Sequence, residues 1–232
     1  DSGLIKKQVE FRDAVLALSA PFTGSPKTLF KTKLRYAGTT WGNENIALVN
    51  EISRSKQLGR VSLYNSKKES LELLYERNQT DAYGNPGSPV TAKNNFGRNV
   101  IVTVDNGTKL LMNNTTGSSP KGDLPFLAKF DLTTKQNEII WRCNEGEFEQ
   151  VSEVLDANNL VLLTRKESQK QVPNYYIKNL KLKMADRAIT TFTNPYPALE
   201  TVTKEKIKYK RADGVDLTGD LYLPSGYDKS KG

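Results

Sequence analysis

The 232 residues contain no histidine and one cysteine. A serine or cysteine nucleophile of the triad kind hands its proton to an imidazole and later takes it back. Without histidine that exchange has no carrier. Zinc sites built from imidazole and thiolate fall away as well, leaving only carboxylates. No G-x-S-x-G elbow, P-loop or G-x-G-x-x-G fingerprint occurs. A Ser-Lys dyad and a pair of catalytic carboxylates are not excluded by residue counts.

A few stretches still carry chemistry-bearing residues. Glu145, Glu147 and Glu149 alternate along the chain, so on a strand they would share one face. Mutual repulsion favours a solvated edge over a catalytic pair. Gly117-Ser118-Ser119-Pro120-Lys121-Gly122-Asp123 is rich in small residues and reads either as a flexible surface loop or as an anion cradle of backbone amides. The segment from Asp81 to Pro89 reads as a rigid turn first and a ligand loop second. Cys143, within Ile139-Ile140-Trp141-Arg142-Cys143, has no disulfide partner in the chain and suits strand packing better than reactivity. The sequons beginning at Asn78, Asn106, Asn113 and Asn114 are chance-level matches. No catalytic, cofactor-binding or metal-ligating residue is assigned.

The 34 basic and 26 acidic side chains give a net charge of +8. They are interspersed, as in Lys204-Glu205-Lys206-Ile207-Lys208, which suits solvated strand faces; attraction to a polyanion or an acidic ligand is the other reading. No RNA-recognition signature points to nucleic acid. No apolar run approaches the roughly 20 residues of a membrane span. The N-terminal Asp1-Ser2-Gly3-Leu4-Ile5 lacks an initiator Met and a signal-peptide pattern, and the C-terminus stops just after a strand pattern, so both read as cut ends.

The elements around these residues read as short strands separated by Gly, Asn, Asp, Ser and Pro. The first set covers 34–39, 45–50, 60–64 and 70–75. A second covers 89–92, 99–104, 126–132 and 138–142, with an insertion around 107–123. A third covers 149–155, 160–164, 174–180 and 188–192. Four strands recurring every 45–65 residues predict propeller blades, about three of them. One blade cannot bury both of its faces, so stacked neighbours must supply the core. Residues 4–18 and 148–155 carry apolar residues at near-helical spacing, such as Phe148, Val151 and Leu155, and either could be a helix; 4–18 could instead supply outer strands of a partial blade. Pro195 and Pro197 mark a linker. Beyond it, 206–211 and 215–223 flank Asp213-Gly214, a hairpin signal. The predicted organisation is all-β: a partial propeller over 1–193, a linker over 194–204 and the first strands of another domain over 205–232.

The stretch from Lys206 to Pro224, followed by Gly226-Tyr227-Asp228, resembles the entry into the hydrolase domain of prolyl oligopeptidase-type serine peptidases. Several upstream motifs resemble the glutamyl endopeptidase branch. These are Leu34-Arg35-Tyr36-Ala37-Gly38 with Trp41 and Ala47-Leu48-Val49, the turn from Gly84 to Pro89, and the stretch from Gly117 to Asp131 with Pro125-Phe126-Leu127. Lys166-Glu167-Ser168 and Pro195-Tyr196-Pro197 fit the same comparison. The resemblance implies a two-domain parent, a β-propeller followed by an α/β-hydrolase domain whose Ser, Asp and His lie beyond Gly232. It also implies that the propeller caps the active site and filters peptide substrates by size, with cleavage after glutamate. Such specificity needs a cationic group; Arg98 and Arg142 are the candidates, though no motif assigns either and a surface arginine is the plainer reading of each. The resemblance implies a bacterial cell envelope, including the periplasm, or a plastid as the compartment. An isolated half propeller should expose blade faces and could oligomerise through them. The alternative is an independent all-β binding module for acidic ligands or a protein partner.

Overall fold

The computed structural model describes residues 9–42, 45–182 and 184–231. The chain opens on an antiparallel pair, β1 (Asp13–Ala17) and β2 (Lys27–Thr32). The first four-stranded meander follows, with β3 (Arg35–Trp41), β4 (Ile46–Ser53), β5 (Leu58–Asn65) and β6 (Ser70–Asn78) paired in chain order. Next come β7 (Ser88–Pro89) and a small hairpin of β8 (Thr91–Lys93) and β9 (Asn99–Ile101). The second blade is β10 (Thr103–Val104), β11 (Lys109–Asn114), β14 (Phe126–Asp131) and β15 (Asn137–Arg142), with β7 also pairing β11. Between β11 and β14 sits a two-stranded excursion, β12 (Ser118–Ser119) and β13 (Gly122–Asp123). The third blade is β16 (Glu147–Asp156), β17 (Val161–Ser168), β18 (Gln171–Asn179) and β19 (Arg187–Ala188). A terminal hairpin, β20 (Thr203–Lys210) and β21 (Asp216–Leu223), closes the described fold. Its turn places Gly214 at φ +87°, a conformation that costs glycine little.

The strand alternation explains why these meanders stack. On β11, Leu110 and Met112 join Leu48, Leu74, Ile101, Phe126, Ala128 and Phe130 in a core between the first two blades. Leu111, one residue out of phase, joins Val104 and Leu160 between the second and third. Leu127 on β14 likewise faces Val151 and Leu162. On β4, Leu48 faces the second blade, whereas Ala47 and Val49 face Phe30 and Tyr64 on the side of β1 and β2. A central strand with both faces buried therefore reads as a continuous apolar run, because each neighbour takes alternate side chains. The Asn113 side-chain amide adds a polar tie across the blades, donating to the Val151 carbonyl at 3.0 Å.

The expectation of an insertion over 107–123 is corrected. Its first half is β11, whose Leu110, Leu111 and Met112 are all buried. The triplet is short, shows no alternation and has polar neighbours, so it does not stand out in the sequence. The set 89–92 and 99–104 is likewise divided, into β7 and β8 and into β9 and β10. The helical option for 148–155 is also corrected. This segment is β16, with irregular register between Val151 and Glu153 and between Val154 and Asp156. Each bulge adds a residue to one strand and changes which side chains face inward, which imitates a helical period. Within 4–18, the described part holds a strand, β1, and no helix; residues 4–8 lie outside the described residues.

Candidate functional site

A cleft of about 740 Å³ lies between the β12–β13 excursion and one face of the terminal hairpin. Tyr83, Ser119, Pro120, Lys121 and Glu145 line it from the blade side; Lys206, Lys208, Asp216, Leu217 and Thr218 line it from the hairpin. A second cavity of about 630 Å³ shares Ser119, Pro120, Lys121 and Glu145 and extends to Leu124, Arg142, Cys143 and Asn144.

The blade wall is rigidly built. Asn114 is buried, and its side-chain oxygen accepts the N–H groups of Thr116 (3.1 Å) and Gly117 (2.8 Å). Its amide donates to the Asn85 carbonyl at 2.9 Å, tying in the 81–89 segment. Gly117 has φ +62°, and a Cβ there would lie 1.8 Å from the Leu124 oxygen, so only glycine fits. Lys121 N–H donates to Ser119 Oγ at 3.2 Å. The Gly117 and Lys121 amides of the supposed anion cradle are thus spent internally, and the 118–119 and 122–123 strands pair to form the rim.

The hairpin wall follows from register. Thr203 pairs with Leu223 and Lys210 with Asp216 without a shift. Alternation therefore puts Lys204, Lys206, Lys208 and Lys210 on one face with Asp216, Thr218, Asp220 and Tyr222. The opposite face carries Ile207, Tyr209, Leu217, Leu221 and Leu223. Lys204 pairs with Asp220 at 2.9 Å and Lys210 with Asp216 at 3.3 Å. The Lys204 hydrogen bond holds the Asp220 carboxyl below its ordinary range. Gln169, in the turn after β17, donates to the Lys204 carbonyl at 2.7 Å and ties blade to hairpin.

The three glutamates do not form one solvated edge. Glu145 is exposed and paired with Lys121, and Glu147 pairs with Lys166 at 3.3 Å. Glu149 is only 2% exposed, with Lys178 Nζ 3.5 Å from its Oε1. Lys178 also reaches Asp186 at 2.7 Å and lies 5.9 Å from the Trp141 ring centroid. Burial pulls the Lys166 ammonium down. The Glu147 hydrogen bond and the charges of Glu147, Glu149 and Asp186 outweigh it, so the net shift is upward. Strand periodicity gave the shared face of Glu147 and Glu149 but not its burial, which depends on the second blade packing against β16. The Glu147, Glu149, Lys166, Lys178 and Asp186 cluster is an ion network within the third blade, and Lys178 touches the second blade through the Trp141 ring.

Arg142 is not a free surface side chain. It stacks 4.9 Å from the Phe126 centroid and donates to the Leu124 carbonyl at 3.3 Å. Arg98 lies in the turn joining β8 and β9 and lines neither cavity. The structure does not bring the two together at the cleft; the cations found there are Lys121, Lys206 and Lys208. Cys143 is buried, and burial pushes its thiol above the ordinary range despite the Glu149 N–H donating to Sγ at 3.0 Å. No group of three or more metal-ligating side chains is placed to hold a metal among the described residues. Lys206 and Lys208, which form no ion pair within 4 Å among the described residues, could have been suspected from the alternation Lys204-Glu205-Lys206-Ile207-Lys208, but their opposing wall could not.

Stacked antiparallel meanders of this kind define a partial β-propeller. Oligopeptidase B from Trypanosoma brucei with covalently bound antipain has a related fold. The TM-score is 0.50, covering 88% of this chain and 34% of that one, at 10% sequence identity, a likeness of fold alone. No family model matches the sequence. Two curated plant proteins do, from Oryza sativa subsp. japonica and Arabidopsis thaliana, each named probable glutamyl endopeptidase, chloroplastic. Both are 36% identical over the whole chain, across 247 and 248 residues. The chain is thus a homologue of a segment of the glutamyl endopeptidases, spanning 26% of each relative's length.

Proposed function

We propose that this chain is the non-catalytic propeller region of a prolyl oligopeptidase-type serine peptidase whose parent cleaves peptides after glutamate. On this reading residues 1–193 cap the active site and filter substrates, 194–204 connect, and 205–232 begin the hydrolase domain. The observation that carries it is the whole-length identity with proteins named glutamyl endopeptidases. The absence of histidine supports a non-catalytic role, because no imidazole in the chain can serve a triad. The plant relatives support a plastid location if the source is a plant; a bacterial source points to the periplasm or another part of the cell envelope. Association through blade faces is part of the same proposal.

Assaying the chain beside its longer parent on glutamyl peptides tests this reading. The expected result is turnover by the parent and none by residues 1–232. Turnover by the chain alone sinks the non-catalytic role, and an inactive parent sinks the activity. The second reading, an independent binding module for acidic ligands or a protein partner, draws on the net charge of +8 and on the lysines of the cleft.

A further inference from the structure

We propose that the cleft between the 118–123 rim and the terminal hairpin binds an extended acidic peptide, with Lys206 and Lys208 receiving carboxylates from alternate residues. The first support is a vacancy in the charge pairing. Of the four lysines on that face, Lys204 and Lys210 are held by Asp220 and Asp216. Lys206 and Lys208 line the cleft and form no ion pair within 4 Å among the described residues; Asp220, opposite Lys206 in the register, feels its charge but is bonded to Lys204. Lys121, the third cation of the cleft, is already paired with Glu145.

The second support is spacing. Two residues along a strand advance about 6.8 Å, and side chains at that interval point to the same side. A peptide laid extended against β20 repeats its own side chains at the same interval. Carboxylates at every second position therefore meet both ammonium groups without strain. Tyr83, 67% exposed at the rim, supplies apolar surface against which the intervening residues can rest.

The third support separates a peptide from a nucleic acid. Glu145 and Asp216 stand in the same cleft. A phosphate backbone carries a charge at every step and would be repelled by both. A peptide can place neutral residues opposite them.

The test is fluorescence anisotropy on the 232-residue chain, using a labelled ten-residue peptide of alternating glutamate and serine and its glutamine counterpart. The glutamate peptide binds and the glutamine peptide does not. Lys206→Gln with Lys208→Gln weakens binding about tenfold, the sum of two exposed ion pairs. Lys56→Gln with Lys67→Gln removes the same charge from exposed turns of the first blade and changes binding less than twofold. Lys206→Arg with Lys208→Arg keeps binding, and Asp216→Asn tightens it, a gain that misfolding does not produce. Equal loss in the two glutamine double variants, no binding of the glutamate peptide, or tighter lysine-dependent binding of oligothymidylate each overturns the proposal. Binding is read without catalysis, so an inactive parent would sink the peptidase reading and leave this one standing.

Discussion

The centre of the second blade and the terminal hairpin are both antiparallel pairs, yet they are stabilised in opposite ways. In β11 and β14 the residues Leu110, Leu111, Met112, Leu127 and Ala128 are essentially inaccessible, and each strand gives alternate side chains to two neighbouring blades. The hairpin has eight cross-strand pairs in unbroken register and no buried residue. Ile207, Tyr209 and Leu221 on its apolar face are 39%, 52% and 37% exposed. Backbone pairing alone yields a strand pair; burial on both faces yields a blade. A hairpin without a covered face is marginal in water.

The sharpest way to break that contrast is a matched pair of truncations. Leu127→Ala should cost about 4 kcal/mol, because its cavity sits between two blades that cannot both collapse. Ile207→Ala should cost about 0.5 kcal/mol. Urea unfolding of each variant checks this, and comparable losses would mean that the hairpin is as cooperative as the blades.

A slightly smaller loss is expected for Gly117→Ala. The new Cβ meets the Leu124 carbonyl in a left-handed backbone, for a cost on the order of 3 kcal/mol. Gly226, also at positive φ, has open space around it and should tolerate alanine with about 1 kcal/mol lost.

Lys178→Met should cost about 2 kcal/mol, since it strands the buried Glu149 carboxylate. Adding Glu149→Leu should recover most of that loss. If the double variant is no better than the single one, the stranded carboxylate is not the source of the loss within the third blade. Amide exchange should show β11 and β14 protected well beyond β20 and β21.

The smallest expected effect is chemical. Burial raises the Cys143 thiol, so near pH 8 the folded chain carries less thiolate than the unfolded one and should react more slowly with iodoacetamide. Equal rates would place Cys143 outside the packed region.

Local chemistry made much of this legible in the sequence. Zero histidine bars imidazole catalysis whatever the fold. Two-residue periodicity located the four strands of the first blade, and Asp213-Gly214 marked the hairpin, because turn conformation and side-chain alternation are properties of a few consecutive residues. Ordered motifs also revealed the kinship with the glutamyl endopeptidases.

What stayed hidden depends on which surfaces meet. The Leu110-Leu111-Met112 run becomes the heart of a blade only when neighbours cover both its faces. Glu149 is buried because the second blade packs against β16, and two bulges in that strand disguised its period. Lys206 and Lys208 become a site only where the hairpin stands opposite the Asn114-braced rim. The last of these joins residues some 90 positions apart, and no local periodicity encodes which surface a strand will face. The sequence alone determined the kind of strands, their turns and the chemistry barred to them; tertiary stacking decided which charges were buried, which were neutralised and which were left facing a cleft.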